Sequence, residues 1–253
     1  MMTVLEVIRH KKSFVSVLCP YKISCHVKSQ DNISFLHIRY HLYRGRVNFK
    51  KLYALTLGYP QTILCESTVS LQNSPFTRFR SDSFKIRMMQ NFVLSVVGKL
   101  SFSPKICYVD KTGDFPDFIR QCSADITVIT DMPRFYENIS HDMADVFVSN
   151  SFDDMGHPHI ILSVSPPETL PENDALIFTC QPCHFQNTPF SEYRLPSVFS
   201  EIQPDCLSRE YFLSGLYEIG GAEFLQNIIP TACSDGVKFY SADYMAALLE
   251  TRR

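Results

Sequence analysis

The stretch KICYVDKTGDFPDFIRQCSADITVITDMPRFYENISHDMADVFVSN, residues 105–150, decides the fold. KICYVD is a compact apolar run that reads as a strand. The Gly-containing loop KTGD leads into FPDFIRQCS, where Pro116 sits in a position that a first helical turn tolerates and Phe118, Ile119 and Cys122 share one side. DITVITD is a β-branched strand, MPRFYENISHDM is a second helical segment with an early Pro133, and DVFVSN is a third strand. Further along, HIILSV and ALIFTC read as the fourth and fifth strands, separated by PPETLPEND, which is too polar and Pro-rich for anything but a loop. Strands that are apolar along their whole length and alternate with helical segments predict a parallel sheet covered on both faces.

Working back toward the start, FKIRMMQNFVLSVVGKL places Ile86, Met89, Phe92, Val93, Val96, Val97 and Leu100 on a buried stripe, with Ser81 or Asp82 as the expected helix cap. LQNSPFTRFRSDS before it is polar and turn-rich, and reads as an inter-domain connection. FVSVLCPYKISCHVK reads as extended runs around Pro20, and Ser29, Gln30, Asp31 and Asn32 form a turn into ISFLHIRYHLY. That strand carries Leu36, Ile38, Tyr40 and Leu42 on one face and His37, Arg39 and His41 on the other. VNFKKLYALTL is a short helix ending at Gly58, and TILCE is a further strand. The expected organisation is a small basic β-rich domain at 1–80, a connecting helix at 81–104, and an acidic α/β domain at 105–253. In the last of these, SREYFLSGLYEIGG is a helix capped by Ser208 and ended by Gly220, and AEFLQNII and SADYMAALLE are short helices.

Composition agrees with a folded chain. Of 253 residues 45% are hydrophobic and 20% charged, with 20 Phe and 12 Tyr, which excludes collagen-like and disordered chains. No window holds the apolar run that a bilayer span needs. Arg9, Lys11 and Lys12 follow the first apolar stretch instead of preceding it, the reverse of a secretory signal, so a cytoplasmic location is expected. Nine cysteines, an odd number in a chain with its own core, read as reduced thiols.

Charge is unevenly spread: residues 1–105 hold 16 Lys and Arg against 4 Asp and Glu, a net of +12, and the remainder nets −14. One reading is nucleic acid on the basic half, where His37, Arg39, His41, Arg44, Arg46, Lys50 and Lys51 interleave with Tyr40, Tyr43, Phe49 and Tyr53. The favoured reading is attraction between the halves, within one chain or between subunits of a homo-oligomer, because an acidic half repels a phosphate backbone. No membrane partner is expected.

Three segments carry a family resemblance. VITDMPRFYE, SFDDMGHPHIILSVSP and PENDALIFTC resemble successive strand and helix segments of the Rossmann-type NAD(P)-binding domain found in shikimate dehydrogenase and glutamyl-tRNA reductase, over about Lys105 to Pro182. The resemblance implies a Rossmann-like sheet with a ligand at the strand carboxyl ends. Where the family needs three glycines, VDKTGDFPDF has only Gly113, and Asp110 and Asp114 flank it, where carboxylates repel a pyrophosphate. Asp131 follows Asp110 by 21 positions, where an acidic residue can accept ribose hydroxyls or simply cap a helix. NAD(P) in its usual pose is disfavoured. The candidate cofactor- or ligand-binding residues are Asp110, Thr112, Gly113, Asp131, Ser149, Ser165 and Pro166, taking a small-molecule or nucleotide-like ligand. The expected function is ligand binding or protein interaction, with an NAD(P)-dependent oxidoreductase and a nucleic-acid-associated protein as alternatives.

Other chemistry is thinly signalled. CQPCH, residues 180–184, matches haem-attachment spacing, but haem attachment of that type belongs to exported chains and no signal segment is seen. A zinc site of Cys180, Cys183 and His184 completed by Cys206 or Cys233 lacks the usual second close pair. His157 and His159 can line a crevice or cap a strand, and capping is favoured. Signatures for an activated serine, a phosphate-binding loop or a zinc protease are missing.

Overall fold

The structure, a computed structural model, describes residues 2–11, 19–57, 61–143, 145–165, 174–180, 189–221 and 228–252. It is a mixed α/β protein of two compact units: Met1–Phe84 with Ser197–Ile228, and Lys85–Pro196 with Ile229–Arg253. Segment 197–228, read from sequence as part of the acidic domain, therefore groups with the basic first unit. The first division falls at Phe84, inside the stretch read as a connecting helix.

The first unit is built on a five-stranded sheet of order β2-β3-β1-β4-β5, with β1 Met2–Arg9, β2 Tyr21–Gln30, β3 Ile33–Leu42, β4 Thr62–Cys65 and β5 Thr77–Arg78. β1 pairs in parallel with β3 and β4, β4 with β5 likewise, and β2 runs antiparallel to β3. The β2–β3 turn is the expected one: Asp31 and Asn32 take φ values of 49° and 66°, which their short polar side chains tolerate. β5 lies within the stretch read as a linker; two residues of edge strand are too short to show a period.

Both faces of this sheet are covered. Leu36, Ile38, Tyr40 and Leu42 join Leu5, Ile63 and Leu52 in one cluster, Leu52 coming from helix α1, Phe49–Leu55. On the other face Phe35 meets Phe212 edge-on at 5.4 Å. Phe212 belongs to α5, Arg209–Glu218, which Ser208 caps by accepting from the Tyr211 amide, and Gly215 of α5 lies so near Leu64 that a Cβ would come within 2.4 Å of its side chain. His37 is consequently 1% exposed, on a face expected to meet water.

Helix α2, Phe84–Val97, begins at the division and from Lys85 onward belongs to the second unit. Just before it and at its first residue, within the first unit, the Glu218 carboxylate accepts from the Asp82, Ser83 and Phe84 N–H groups and from Ser81 Oγ. A fully parallel sheet follows, of order β10-β9-β6-β7-β8: β6 Lys105–Val109, β7 Asp125–Ile129, β8 Val146–Ser149, β9 Ile160–Ser163 and β10 Leu176–Thr179. The five expected strands are all present, in a doubly wound order that reverses between β6 and β9.

Helices α2, α3 (Asp117–Gln121), α4 (Arg134–Asp142) and α6 (Ala242–Thr251) contribute Phe92, Val96, Phe118, Ile119, Tyr136, Ile139, Met245 and Leu249 to the main core with Ile106, Val128, Leu162 and Phe178. On the opposite face Cys107, Val109, Ile129, Ile161 and Ile177 pack with Met155 of the 3-10 turn Phe152–Met155. A small antiparallel sheet of β11 Glu192–Arg194, β12 Ala232–Ser234 and β13 Phe239–Tyr240 completes the unit. Most of the helix read at AEFLQNII lies outside the described residues. Among the described residues no helix is long and apolar enough to cross a membrane.

Candidate functional site

In sheets of this kind ligands sit beyond the strand carboxyl ends, where the connections reverse direction. The second unit's reversal lies between β6 and β9, beside the expected site residues. Asp110, which follows β6, is fully buried, and its carboxylate is used by its own loop. Oδ1 accepts from Gly113 N at 3.0 Å and Thr112 Oγ1 at 3.2 Å; Oδ2 accepts from Phe115 N at 3.0 Å and Tyr136 Oη at 2.5 Å. A dinucleotide loop offers its amides to a phosphate. Here two amides converge on a carboxylate of the chain.

The network runs deeper: Tyr108 Oη donates to the Phe115 carbonyl at 2.8 Å and receives Gln90 Nε2 at 2.8 Å. Burial first, then neighbouring groups including the Asp110 carboxylate, hold both the Tyr108 and Tyr136 hydroxyls well above the usual phenol range, so each stays a donor. Gly113 has φ +75°, and a Cβ there would lie 2.7 Å from the Phe135 ring. The loop is thus shut from below by Asp110 and roofed by Phe135.

The remaining expected residues scatter around this plug. Asp131 is exposed and pairs with Lys111 Nζ at 3.0 Å, so its carboxylate is engaged by a cation of the same sheet end. Ser149 donates to Asp154 at 2.5 Å and accepts from Ser151 N. Ser165 N reaches the Val109 carbonyl at 3.4 Å. Pro166, Cys183 and His184 lie outside the described residues. Cys180 and Cys233 belong to the second unit and Cys206 to the first, and the described residues contain no group of three or more His, Cys, Asp or Glu arranged to hold a metal. His159 is the strand cap that the sequence favours: its Nδ1 accepts from Lys105 N at 2.9 Å. With His157, Arg252, Tyr240 and Tyr244 it lines a cavity of about 970 Å³ at the amino ends of β9 and β10.

The first unit's strands reverse between β1 and β4, and that mouth is open. Leu5 pairs with Cys65, so Glu6 and Glu66 are the next residues of adjacent strands. Beyond them lies a cleft of about 460 Å³ lined by Cys65, Glu66, Ser67, Thr68 and Arg78 on one side and Cys206, Leu207, Ser208 and Tyr211 on the other. Arg78 builds the first wall: its Nη2 donates to the Glu66 carbonyl at 3.0 Å, to that of Ser67 at 3.4 Å, and to that of Val69. The second wall is the start of α5, fixed by the Ser208 cap and by Tyr211 Oη donating to the Phe79 carbonyl at 3.0 Å.

Burial, followed by the charges of Glu6 and Glu66, pushes the Cys206 thiol up to about 12, and burial also raises Cys65. Both thiols are therefore protonated at neutral pH, which suits a lining group and not a nucleophile. Behind the cleft, Glu6 receives Arg39 Nε at 3.0 Å, while His37 Nε2 lies 3.0 Å from the same oxygen but off the hydrogen-bond direction. Burial keeps the His37 pKa below its ordinary value although Glu6 pulls it upward. Sequence reading passed over this cleft. Arg78 sits in the presumed linker, and Cys206 and Tyr211 come from a segment assigned to the other half.

No protein-family model and no curated relative matches the chain. Among solved structures it is similar to ornithine carbamoyltransferase from Thermus thermophilus, at 10% identity over 88% of this chain and 86% of that one, with a TM-score of 0.36. That likeness is too slight to argue fold or activity from. The resemblance to the shikimate dehydrogenase and glutamyl-tRNA reductase domains is corrected: no family model supports it, and in the loop where that family's glycines would face a pyrophosphate the Gly113 and Phe115 amides are taken by the Asp110 carboxylate.

Proposed function

We propose that this protein is a small-molecule-binding protein whose ligand occupies the cleft at the carboxyl ends of the first unit's sheet. The observation that carries this reading is the contrast between two strand-end mouths, one filled by the chain's own carboxylate and the other an open cavity. A volume near 460 Å³ falls in the usual range for pockets that enclose a metabolite. Leu207, the Tyr211 ring and two neutral thiols supply apolar contact, and Ser67, Thr68, Ser208 and Arg78 supply directional polar groups, so the cleft suits a compact molecule with an apolar body and hydrogen-bonding substituents.

The test is native mass spectrometry of the purified chain, followed by cysteine alkylation mapped by peptide. The expected result is a bound compound whose release increases labelling of the half-buried Cys206 and leaves exposed Cys19 and Cys25 unchanged. Ser67→Trp, an exposed position at the rim, should abolish retention without lowering the unfolding midpoint. A bound compound that survives Ser67→Trp, or no compound and equal labelling before and after the release step, would overturn the assignment.

A further inference from the structure

We infer that the end of the first unit formed by the close of β1 and β3, the start of β2 and the start of α1 binds the phosphate backbone of single-stranded nucleic acid. This goes beyond the small-molecule reading and rests on different residues. The sheet register gathers the cations. Arg9 pairs with Leu42, Tyr21 with Leu42 and Lys22 with His41. His10 N donates to the Leu42 carbonyl at 2.9 Å, and the Tyr43 and Arg44 amides both reach the Pro20 carbonyl, at 3.0 and 3.1 Å. Asn48, which caps α1, donates its own N–H to Tyr40 Oη at 3.1 Å, and Lys51 Nζ stands 5.3 Å from the centre of the Tyr21 ring. Three strand ends and one helix start are thereby pinned together.

Arg9, Lys11, Lys22, Arg44, Arg46, Lys50 and Lys51 all lie there and all are exposed, and none makes an ion pair among the described residues. Residues 7–11, 19–23 and 40–52, which make up this end, contain no Asp or Glu. Elsewhere in the unit Glu6 is engaged by Arg39, Glu66 by Thr68 and Glu218 by the 81–84 turn. Seven cations with no local counter-charge repel one another, and a polyanion relieves that repulsion while releasing its own condensed counterions.

Aromatic groups favour a nucleic acid among polyanions. His10, which is exposed, stacks on Tyr43 with ring centres 4.6 Å apart and on His41 at 5.2 Å. Rings set among cations are what unpaired bases use for sequence-tolerant stacking. The patch differs from the one read in the sequence. His37 and Tyr40 are core and Arg39 is paired, whereas Arg9, Lys11 and Lys22 join from other strands.

The test is fluorescence anisotropy on the full chain with labelled oligo(dT) and oligo(U) of about twenty nucleotides, at several salt concentrations. Neutralising three or more phosphates gives a log–log salt slope of about −2 or steeper for a single strand. Arg44→Glu combined with Arg46→Glu and Lys50→Glu should weaken binding at least roughly tenfold, with an unchanged unfolding midpoint, whereas Lys238→Glu in the second unit should leave it unaltered. Tyr43→Ala should reduce binding of the single strand more than that of a duplex of equal length. Equal affinity for the triple variant and the native chain, a flat salt dependence, or binding only to vesicles containing anionic phospholipid would overturn the inference.

Discussion

The two units meet the same architectural problem in opposite ways. Each has a sheet whose connections reverse direction beside its first strand, and each reversal leaves a hollow beyond the strand ends. In the second unit the residue at that point is Asp110, and its carboxylate collects two backbone amides, a threonine hydroxyl and a tyrosine hydroxyl. In the first unit β4, the strand across the reversal from β1, ends at the neutral thiol of Cys65, and the loop after it folds around Arg78. One mouth is consumed as structure and the other remains an open cleft. A doubly wound sheet thus offers a place to bind, and the side chain at the strand end decides whether anything from outside can use it.

The sharpest way to break this contrast is Asp110→Ala. It strands the Gly113 and Phe115 amides and the Tyr136 hydroxyl, and should cost about 3 kcal/mol or more in urea unfolding. A loss below about 1 kcal/mol would mean that water replaces the carboxylate and that the loop is not built on it. Gly215→Val attacks the other unit by pushing a side chain into Leu64, with an expected loss of about 1–3 kcal/mol that Leu64→Ala partly restores. An additive double variant would contradict that close approach. Tyr136→Phe removes one donor from Asp110 and should cost about 1–2 kcal/mol, leaving the cleft of the first unit untouched.

The smallest expected effect separates the two buried polar networks by pH. His37 has a depressed folded pKa, from burial and from Lys28 and Arg39, against the opposing pull of Glu6. Its contribution to stability is present above the unfolded value of about 6.5 and is lost as pH falls through the folded value. Thermal midpoints measured between pH 7.5 and 5 should decline, and His37→Gln should flatten that decline. If the variant tracks the native chain throughout, His37 is not the group that titrates.

The second unit was the more legible one from sequence, because its five strands are short apolar runs between helices with early prolines, and local pattern suffices for that. Its loop was half legible. The absence of glycines beyond Gly113 and the acid at 110 foretold a mouth unsuited to a diphosphate, but the Tyr136 hydroxyl that closes it comes from 26 residues away. The first unit hid more. β5 is two residues long, and the segment covering His37 and completing the cleft returns from position 197 onward, so no local signal could tie Cys206 or Tyr211 to Cys65. That return also brings the carboxylates of Glu201, Asp205, Glu210 and Glu218 into the basic unit, which is where part of the sequence's charge asymmetry is reconciled.

The most direct test of the central contrast is a crystal structure of the chain as purified, with no step that strips bound compounds. The expected result is density for a compact molecule between Arg78 and Tyr211, and an Asp110 carboxylate still holding the Gly113 and Phe115 amides. Density for a phosphate or diphosphate on those amides, with Asp110 turned away, would contradict it.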